Sequence, residues 1–281
     1  MSSRRRRGED CRRPSPFPSA SEDRRHARRP GRRLPQTRSP SYRLAYDDPA
    51  FLARDELRGI RLALEYEKPE LILEDAGIDE TIVIFGSARA PADDDEAAAD
   101  DPRRDDYRAA RRLARMISRA RRVSGGGPVV VTGGGPGIME AGNRGAAEEG
   151  APSIGLNIVI PHEQVPNSWI TPKFSFLFHY FAIRKMHFLL RARAVVFFPG
   201  GFGTLDELFE TLTLLQTGRL RPTPILLYRR AFWDAVIGWD RLVAEGMIDP
   251  ADRALVRHVE SAEEAFAALV DAGVIAAAPA P

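Results

Sequence analysis

The sequence predicts an α/β protein whose parallel sheet is covered by helices on both faces. Three observations predict this class: short, nearly continuous apolar runs recur along the chain, amphipathic stretches of helical length separate most of them, and glycine-rich segments follow several of the runs. Strands without polar alternation are buried on both sides, which is typical of parallel sheets between two helical layers. With 281 residues, the chain can form one large domain or two small ones around a substantial core.

The individual elements follow from the periodicity of apolar residues. Strands are predicted at Thr81–Phe85 and at residues 128–131, 153–160, 174–178, 194–198 and 224–228. Helices are predicted at residues 104–123, 137–149, 182–191, 204–217, 232–244 and 262–270. Residues 93–106 are acidic and polar, and we interpret them as an insertion in the first strand-to-helix connection.

The first 78 residues are predicted to lie outside this sheet. Residues 1–45 contain 14 arginines and no apolar periodicity, so we expect a disordered tail. Such a tail can bind nucleic acid or a membrane surface, but we favour an unconstrained extension. Apolar residues from Phe51 to Leu64 recur at helical spacing and predict a helix over residues 48–67, which Pro69 separates from a short helix over residues 71–76. The predicted domains are therefore a tail (1–45), a helical lead-in (46–78) and the α/β domain (79–275).

Composition argues against several classes of protein. No apolar run approaches the roughly 20 residues that span a bilayer, and the N-terminal residues lack the apolar core of a secretory signal. Cys11 is the single cysteine, so an intrachain disulfide is excluded, and we expect a cytoplasmic protein. The net charge is +2, but the tail carries +10 and the remainder −8. We therefore do not expect the folded body to bind nucleic acid.

Glycine-rich segments follow three of the predicted strands. Gly86-Ser87-Ala88-Arg89 follows the first strand, T-G-G-G-P-G-I-M-E (132–140) the second, and P-G-G-F-G-T-L-D-E (199–207) the fifth. In a parallel sheet these loops lie at the carboxyl ends of the strands, where ligands bind. Glycine lets backbone N–H groups approach an anion, and the helix that follows adds a partial positive charge. We expect Thr204 to cap its helix or to bind a phosphate through its hydroxyl.

The spacing of the glycines excludes two familiar nucleotide sites. No G-x-G-x-x-G is present, because Ile138 and Asp206 occupy the places of the third glycine, and G-x-x-x-x-G-K-[ST] is absent as well. The glycines of a single loop could merely turn a strand into a helix. Two long loops at equivalent positions of the sheet favour phosphate binding.

Three motifs together resemble the LONELY GUY (LOG) family of cytokinin riboside 5′-monophosphate phosphoribohydrolases. They are, in order, G-G-G-x-G-x-M-E at residues 133–140, the pair Arg184-Lys185 followed by Met186, and P-G-G-x-G-T-x-x-E at residues 199–207. The resemblance extends over roughly residues 64–218, and it includes the loop at 83–89 and the stretch 178–185. The helical lead-in is similar to that of the bacterial branch, which hydrolyses AMP and related nucleotides.

The resemblance implies a Rossmann-like, doubly wound fold and a homodimer or larger assembly with sites near the interface. It implies that a nucleoside 5′-monophosphate is hydrolysed to free base and ribose 5-phosphate, with Arg184 and Glu207 as catalytic residues and without a metal or redox cofactor. The substrate-binding residues expected from the loops and the motif pair are Ser87, Gly133, Gly134, Gly135, Gly137, Met139, Lys185, Gly200, Gly201, Gly203 and Thr204. Such chains are often labelled lysine decarboxylases. We reject that label, because pyridoxal phosphate needs a Schiff-base lysine and only Lys185 lies in a motif.

The chemistry of N-glycosidic cleavage is compatible with these assignments. The ribose gains oxocarbenium character, which a carboxylate such as Glu207 can stabilise while it holds a hydroxyl or activates water. Arg184 stays protonated, so it is assigned to orientation and charge stabilisation. By position alone Glu207 would be an ordinary first-turn glutamate and Arg184 a surface arginine, and the motif context reverses both interpretations.

Other candidates receive weaker assignments. Met139 and Asn143 are candidates to face the ligand, and Glu210 is expected to be a solvated helix residue, with a supporting role at the site as the alternative. His162, His179 and His187 do not fit a metal-binding pattern and are assigned core or loop roles. The aromatic residues at 174–181 are expected in a strand and the core, with one ring as a candidate to stack on a base.

Two other functions stay open at this point. A non-catalytic carrier of a nucleotide-like ligand, such as the molybdenum-cofactor carriers, shares the P-G-G-x-G-T loop. The arginine-lysine pair and Glu207 favour the enzyme. A weaker third hypothesis is regulation through nucleotide binding or the basic tail.

Overall fold

The computed structural model describes residues 16–27, 34–95, 100–161 and 165–276. The chain divides into two units, Met1–Ala63 and Leu64–Pro281. The hypotheses on Cys11 and His162 concern residues outside the described ranges, and residues 1–15 and 28–33 of the basic tail also lie outside them. In the described part of the tail, Ala20–Ala27 and Pro35–Arg38 are helical, so the expectation of disorder is wrong for these residues. The predicted domain boundaries stay predictions.

Where the structure describes it, the first unit contains short helical segments followed by the start of a longer helix. Its helices are α1 (Ala20–Ala27), α2 (Pro35–Arg38) and α3 (Pro49–Leu52), and 3₁₀ turns lie at Pro40–Tyr42, Ala45–Asp47 and Asp55–Leu57. Helix α3 begins after Asp48, whose carboxylate accepts hydrogen bonds from the amides of Ala50 (3.1 Å) and Phe51 (3.3 Å). This is an ordinary N-cap, in which an acidic side chain satisfies donors that the helix leaves unpaired.

Helix α4 (Arg58–Asp75) continues through Pro69, so the predicted break at this proline is wrong. A proline inside a helix removes one backbone hydrogen bond and crowds the preceding turn. Pro69 and Leu73 are the buried residues of this helix, so packing of the same face offsets the local cost. The interruption of the lead-in lies earlier, at the 3₁₀ turn before Arg58.

The second unit contains a seven-stranded, wholly parallel sheet with the order β4-β3-β2-β1-β5-β6-β7. The strands are β1 (Thr81–Phe85), β2 (Val129–Thr132), β3 (Ser153–Ile158), β4 (Ser175–Phe178), β5 (Ala192–Phe197), β6 (Ile225–Tyr228) and β7 (Val256–Val259). Six of them were predicted. Strand β7 was not, because this edge strand has the mixed sequence Val-Arg-His-Val and is only partly buried.

Helices cover both faces of this sheet, as predicted for a doubly wound, Rossmann-like fold. Helices α5 (Arg103–Ser124), α6 (Ile138–Glu148) and α11 (Ala262–Asp271) pack against one face, together with Ile82 and Ile84 of β1. Helices α7 (Phe181–Leu190), α8 (Phe202–Gln216), α9 (Arg230–Val236) and α10 (Trp239–Ala244) pack against the other, together with Val83 and Phe85. Because successive side chains of β1 enter opposite cores, the strand is apolar throughout.

One predicted helix is divided in two. Residues 232–244 were expected to form a single helix, but α9 ends at Val236 and α10 begins at Trp239. Gly238 precedes α10, and the buried side chains of Ile237 and Trp239 flank it. Glycine weakens a helix interior, and both flanking side chains reach the core after the break.

The order of the strands creates a switch point beside β1. Strands β2, β3 and β4 lie on one side of β1, and β5, β6 and β7 lie on the other. The loops after β1 and β5 therefore lead into helices on opposite faces, which leaves a crevice at the carboxyl edge of the sheet. Within the described ranges, no helix is both long and apolar enough to cross a bilayer.

Candidate active site

Three loops meet at the switch point and are connected through Ser87. Its amide donates a hydrogen bond to the carbonyl oxygen of Pro199 after β5 (3.0 Å), and its own carbonyl oxygen accepts one from Ile138 at the start of α6 (3.0 Å). The Ser87 hydroxyl also accepts a hydrogen bond from the amide of Arg89 (3.0 Å). These bonds fix the β1 loop between the two longer glycine loops.

A cleft of about 770 Å³ opens above these loops. Its volume lies in the range that small-molecule sites occupy. Nine of the residues that the sequence assigned to the site line this cleft: Ser87, Gly133, Met139, Arg184, Gly200, Gly201, Gly203, Thr204 and Glu207. The structure therefore brings residues from three loops and from α7 together in one place.

The loop after β5 presents unpaired backbone donors to the cleft. Helix α8 begins at Phe202, with Gly201 as its N-cap, so the expectation that Thr204 caps the helix is wrong. Thr204 is instead the third residue of the first turn. In the described part of the chain, no acceptor receives the amide hydrogens of Phe202, Gly203 or Thr204. A helix start in this condition binds anions well.

Glu207 is buried in the wall of the cleft, one turn into α8. Its side chain is 6% exposed. Burial raises the pKa of this carboxyl to about 7, although the charges of Lys185 and Arg184 lower it. A carboxyl with a pKa in this range can exchange protons near neutral pH, as general acids and bases do.

Arg184 reaches the cleft from α7 across the β2 loop. Its Nε donates a hydrogen bond to the carbonyl oxygen of Leu156 (2.7 Å), and its guanidinium lies 5.1 Å from the centre of the Phe188 ring. A Cβ atom on Gly133 would lie 2.7 Å from both Arg184 Nη2 and Met139 Sδ. Glycine is therefore needed at position 133 for both side chains to enter the cleft.

Arg184 and Glu207 influence each other without a direct ion pair. The charge of Arg184 favours the ionised form of Glu207. Burial lowers the pKa of the arginine, and the charge of Glu207 opposes this effect. The two side chains thus line the same cleft and influence each other's ionisation.

Lys185 does not line this cleft, although it was expected to bind the substrate. Its ammonium group pairs with Asp206 (2.9 Å) and Glu210 (2.7 Å), both on α8. The expectation that Glu210 is merely solvated is wrong for the same reason. Consecutive residues of a helix point in different directions, so Arg184 faces the cleft while Lys185 connects α7 to α8.

The loop after β2 is held mostly by protein groups. Gly134, Gly135 and Gly137 do not line the cleft. Asn167 donates hydrogen bonds to the carbonyl oxygens of Gly134 (3.1 Å) and Gly135 (3.0 Å). The structure gives these three glycines a place in the loop but no contact with the cleft.

A buried network of side chains lies beneath this loop. Asn143 accepts hydrogen bonds from Thr132 Oγ1 (2.7 Å) and Asn167 (3.0 Å), and it donates one to Ser153 Oγ (3.0 Å). Asn143 was a candidate to face the ligand, and the structure corrects this, because its amide is fully used below the loop. Met139 does line the cleft.

Several cleft residues were not assigned to the site from the sequence. Arg89 ends the β1 loop and is exposed, and Phe181, Phe202, Phe232 and Val236 add apolar surface. Phe181 was assigned to the strand and core, with ligand stacking kept only as a hypothesis for one ring of its cluster. Phe202 could have been assigned to the site from the sequence, because it lies within the glycine motif itself.

Two of the histidines considered in the sequence analysis, His187 and His179, lie in different environments. The ring of His187 is buried, and its centroid lies 5.5 Å from that of Tyr66 and 5.4 Å from that of Phe178, which matches the core role assigned to it. The ring of His179 contacts Tyr180 edge-on at 4.5 Å. In the ranges that the structure covers, no three His, Cys, Asp or Glu side chains are grouped closely enough to hold a metal ion.

Comparison with known proteins finds similarity to one family over part of the chain. The family model described as "Possible lysine decarboxylase" matches residues 139–269. The chain is 33% identical over 90 residues to the cytokinin riboside 5′-monophosphate phosphoribohydrolase LOG1 of Arabidopsis thaliana, and 34% identical over 82 residues to LOG7 of the same plant. The predicted resemblance to the LOG family is confirmed.

The LOG matches cover 31% and 29% of this chain, and 42% and 38% of the two relatives. The chain thus spans about two fifths of the length of the curated relatives that it matches. Two solved structures are also similar. The structural genomics target TM1055 aligns with a TM-score of 0.46 and 22% identity, covering 68% of this chain and 99% of its own. The molybdenum cofactor carrier protein of Chlamydomonas reinhardtii aligns with a TM-score of 0.45 and 18% identity, covering 69% and 98%.

Proposed function

We propose that the chain hydrolyses the N-glycosidic bond of a nucleoside 5′-monophosphate, releasing the free base and ribose 5-phosphate. The observation that carries this proposal is the position of Glu207, a buried carboxyl one turn into a helix whose first amides are unpaired. The names of the LOG relatives support the same class of reaction. AMP is the substrate that we favour, with a cytokinin riboside monophosphate as the second candidate.

The start of α8 is the proposed phosphate site. The amides of Phe202, Gly203 and Thr204 can donate to phosphate oxygens, and the positive end of the helix dipole favours the negative charge. Three residues of an α-helix rise by roughly 5 Å, so Glu207 lies about one sugar ring away from a phosphate at Thr204. The proposed arrangement therefore puts the carboxylate beside the ribose.

In the proposed reaction, Glu207 acts on the ribose and on the attacking water. The bond between C1′ and the base nitrogen breaks, and its electron pair stays on the base. The water oxygen bonds to C1′, its proton passes to the Glu207 carboxylate, and that proton then neutralises the departing base. The raised pKa, about 7, suits a group that both accepts and returns a proton.

Arg184 has an electrostatic part in this proposal. A guanidinium stays protonated in proteins, so it does not serve as the proton donor. Its bonds to the backbone carbonyl oxygens of Leu156 (2.7 Å) and Gly133 (3.5 Å) fix its position at the cleft. From there it can orient the nucleotide and stabilise the negative charge that develops on the base.

The description of the matching family refers to a different activity, lysine decarboxylation. Pyridoxal phosphate chemistry requires a lysine amine that can form a Schiff base. Lys185 is paired with two carboxylates, and Lys173 lies 4.7 Å from the centre of the Phe174 ring. Neither lysine lines the cleft that holds Arg184 and Glu207, which supports the glycosidic reaction instead.

The test is to incubate the purified protein with AMP and to quantify adenine and ribose 5-phosphate. We expect equal amounts of both products from the wild type and almost none from Glu207→Ala or Arg184→Ala. Activity that survives both substitutions would contradict the assignment of the site. Tight binding of AMP without any product would support a nucleotide carrier and exclude the hydrolase.

A further inference from the structure

Helices α7 and α8 each begin with a phenylalanine that solvent reaches. Phe181 is the first residue of α7 and is 55% exposed, and Phe202 is the first residue of α8 and is 93% exposed. Phenylalanine is a mediocre helix former, and nothing in the first turn of a helix requires an aromatic residue. Most large aromatic side chains of the sheet unit are buried, so these two stand apart from the core.

Both phenylalanines line the same cleft as the charged residues. Arg184 follows Phe181 by one turn of α7, and Glu207 lies on the helix that Phe202 opens. Phe232, whose ring meets Trp233 edge-on at 5.1 Å, extends the apolar surface of the cleft. The cleft therefore offers two kinds of surface, one for an anion and one for a flat, apolar group.

Neither exposed ring has an aromatic partner within the described ranges. The ring contacts of this unit join core residues such as Phe85, Phe188 and Phe197, and they do not include Phe181 or Phe202. Aromatic side chains with free faces bind nucleobases by stacking, and this contact tolerates any base because every base has a π-face. An unused aromatic face beside an anion site matches a molecule that joins a base to a phosphate.

We infer that Phe181 and Phe202 bind the face of the substrate's nucleobase, so that the site discriminates nucleotides from sugar phosphates without a base. This inference rests on the proposed function, because it takes the ligand to be a nucleoside monophosphate. It adds the residues that contact the face of the base. In the proposed reaction the loop amides bind the phosphate, Glu207 acts on the ribose and the attacking water, and Arg184 orients the nucleotide and stabilises the charge on the departing base. The two phenylalanines are specificity residues and take no part in the bond cleavage.

The experiment compares AMP with ribose 5-phosphate, which carries a hydroxyl group at C1 in place of the base. Dissociation constants for AMP and for ribose 5-phosphate are measured by calorimetry with the full chain carrying Glu207→Gln, so that AMP is not consumed. Phe181→Leu, Phe202→Leu and the double variant are compared with Phe209→Leu, a control on the same helix whose 42% exposed side chain lies outside the cleft. Leucine keeps an apolar side chain and removes the aromatic face.

We expect the double variant to bind AMP about tenfold to 100-fold more weakly, with ribose 5-phosphate binding and the control unchanged. Equal weakening for both ligands, or no change for AMP, would overturn the inference.

Sedimentation equilibrium is measured in parallel to follow the oligomeric state of each variant. A double variant that dissociates into monomers while AMP binding is retained would assign the two rings to contact with a second copy of the chain, and would also overturn it. AMP hydrolysis by the protein without Glu207→Gln tests the proposed function separately.

Discussion

The glycine loops after β2 and β5 look alike in sequence but differ in what satisfies their backbone. In the β2 loop, Asn167 binds two carbonyl oxygens, and the amide of Ile138 donates to Ser87. In the β5 loop, the first amides of α8 find no acceptor in the described part of the chain. The unpaired amides at the start of α8 belong to three residues that line the cleft, whereas at the start of α6 only Met139 lines it, and this difference favours the β5 loop as the anion site that we propose.

Substitutions of the glutamates that end the two loop motifs should differ most in their effect on kcat. Glu207 is buried in the cleft wall, whereas Glu140 accepts a hydrogen bond from the Tyr107 hydroxyl (3.0 Å) away from the cleft. We expect Glu207→Gln to lower kcat for AMP hydrolysis by about 100- to 1,000-fold, which is the usual effect of removing one well-placed electrostatic group. Glu140→Gln is the matched control and should stay within a few-fold of the wild type. Similar losses in both variants would show that the loops do not differ in this way.

Valine substitutions at one glycine of each loop should separate binding from stability. At Gly203 a Cβ atom meets nothing within 4 Å, so Gly203→Val should fold normally and obstruct the proposed phosphate site. We expect AMP affinity to fall by about 100-fold, or about 3 kcal/mol, with little change in Tm.

Gly134 has a φ of 77°, and a Cβ atom there would overlap the Asn157 side chain. Gly134→Val should therefore lower the free energy of unfolding by about 3 kcal/mol, measured by urea denaturation. Loss of stability at Gly203 would contradict the comparison.

The pH dependence of stability should reveal the buried carboxyl of the β5-loop helix. Because folding raises the pKa of Glu207 from its usual 4.5 to about 7, the folded protein binds this proton more tightly than the unfolded chain does. Its contribution is complete below pH 4.5 and is lost as the pH rises through 7. Glu207→Gln should therefore gain about 2 kcal/mol relative to the wild type between pH 5 and pH 8. Denaturation curves at both pH values test this, and a pH-independent difference would contradict the raised pKa.

Much of the fold could be predicted because burial on both faces leaves a local trace in the sequence. Strand β1 was predicted with its observed bounds, and its Ile82 and Val83 enter different cores. Strand β7 leaves no such trace, since Arg257 and His258 interrupt its apolar pattern. The continuation of α4 through Pro69 also depends on packing, which no local propensity encodes.

Some parts of the candidate site could likewise be predicted from the sequence, and others could not. The glycine loops could be found from their position after predicted strands. Arg184 and Glu207 received their catalytic roles only through the resemblance to the LOG family, and those roles stay predictions. Asn167 could not be found, since its bonds to the β2 loop join residues more than 30 positions apart. The sequence shows that Phe202 lies within the glycine motif, but it does not show whether the side chain is buried. The structure shows that the ring is exposed and lies outside the core.

The position of Lys185 has a consequence for how α7 is held against α8. It follows Arg184 directly, and one of its two partners, Asp206, directly precedes Glu207. The ion pair of Lys185 and Asp206 therefore joins α7 to α8 one residue away from Arg184 and Glu207, and Lys185 itself does not line the cleft. A substitution at Lys185 would therefore change how α7 is held against α8 without replacing a residue that lines the cleft.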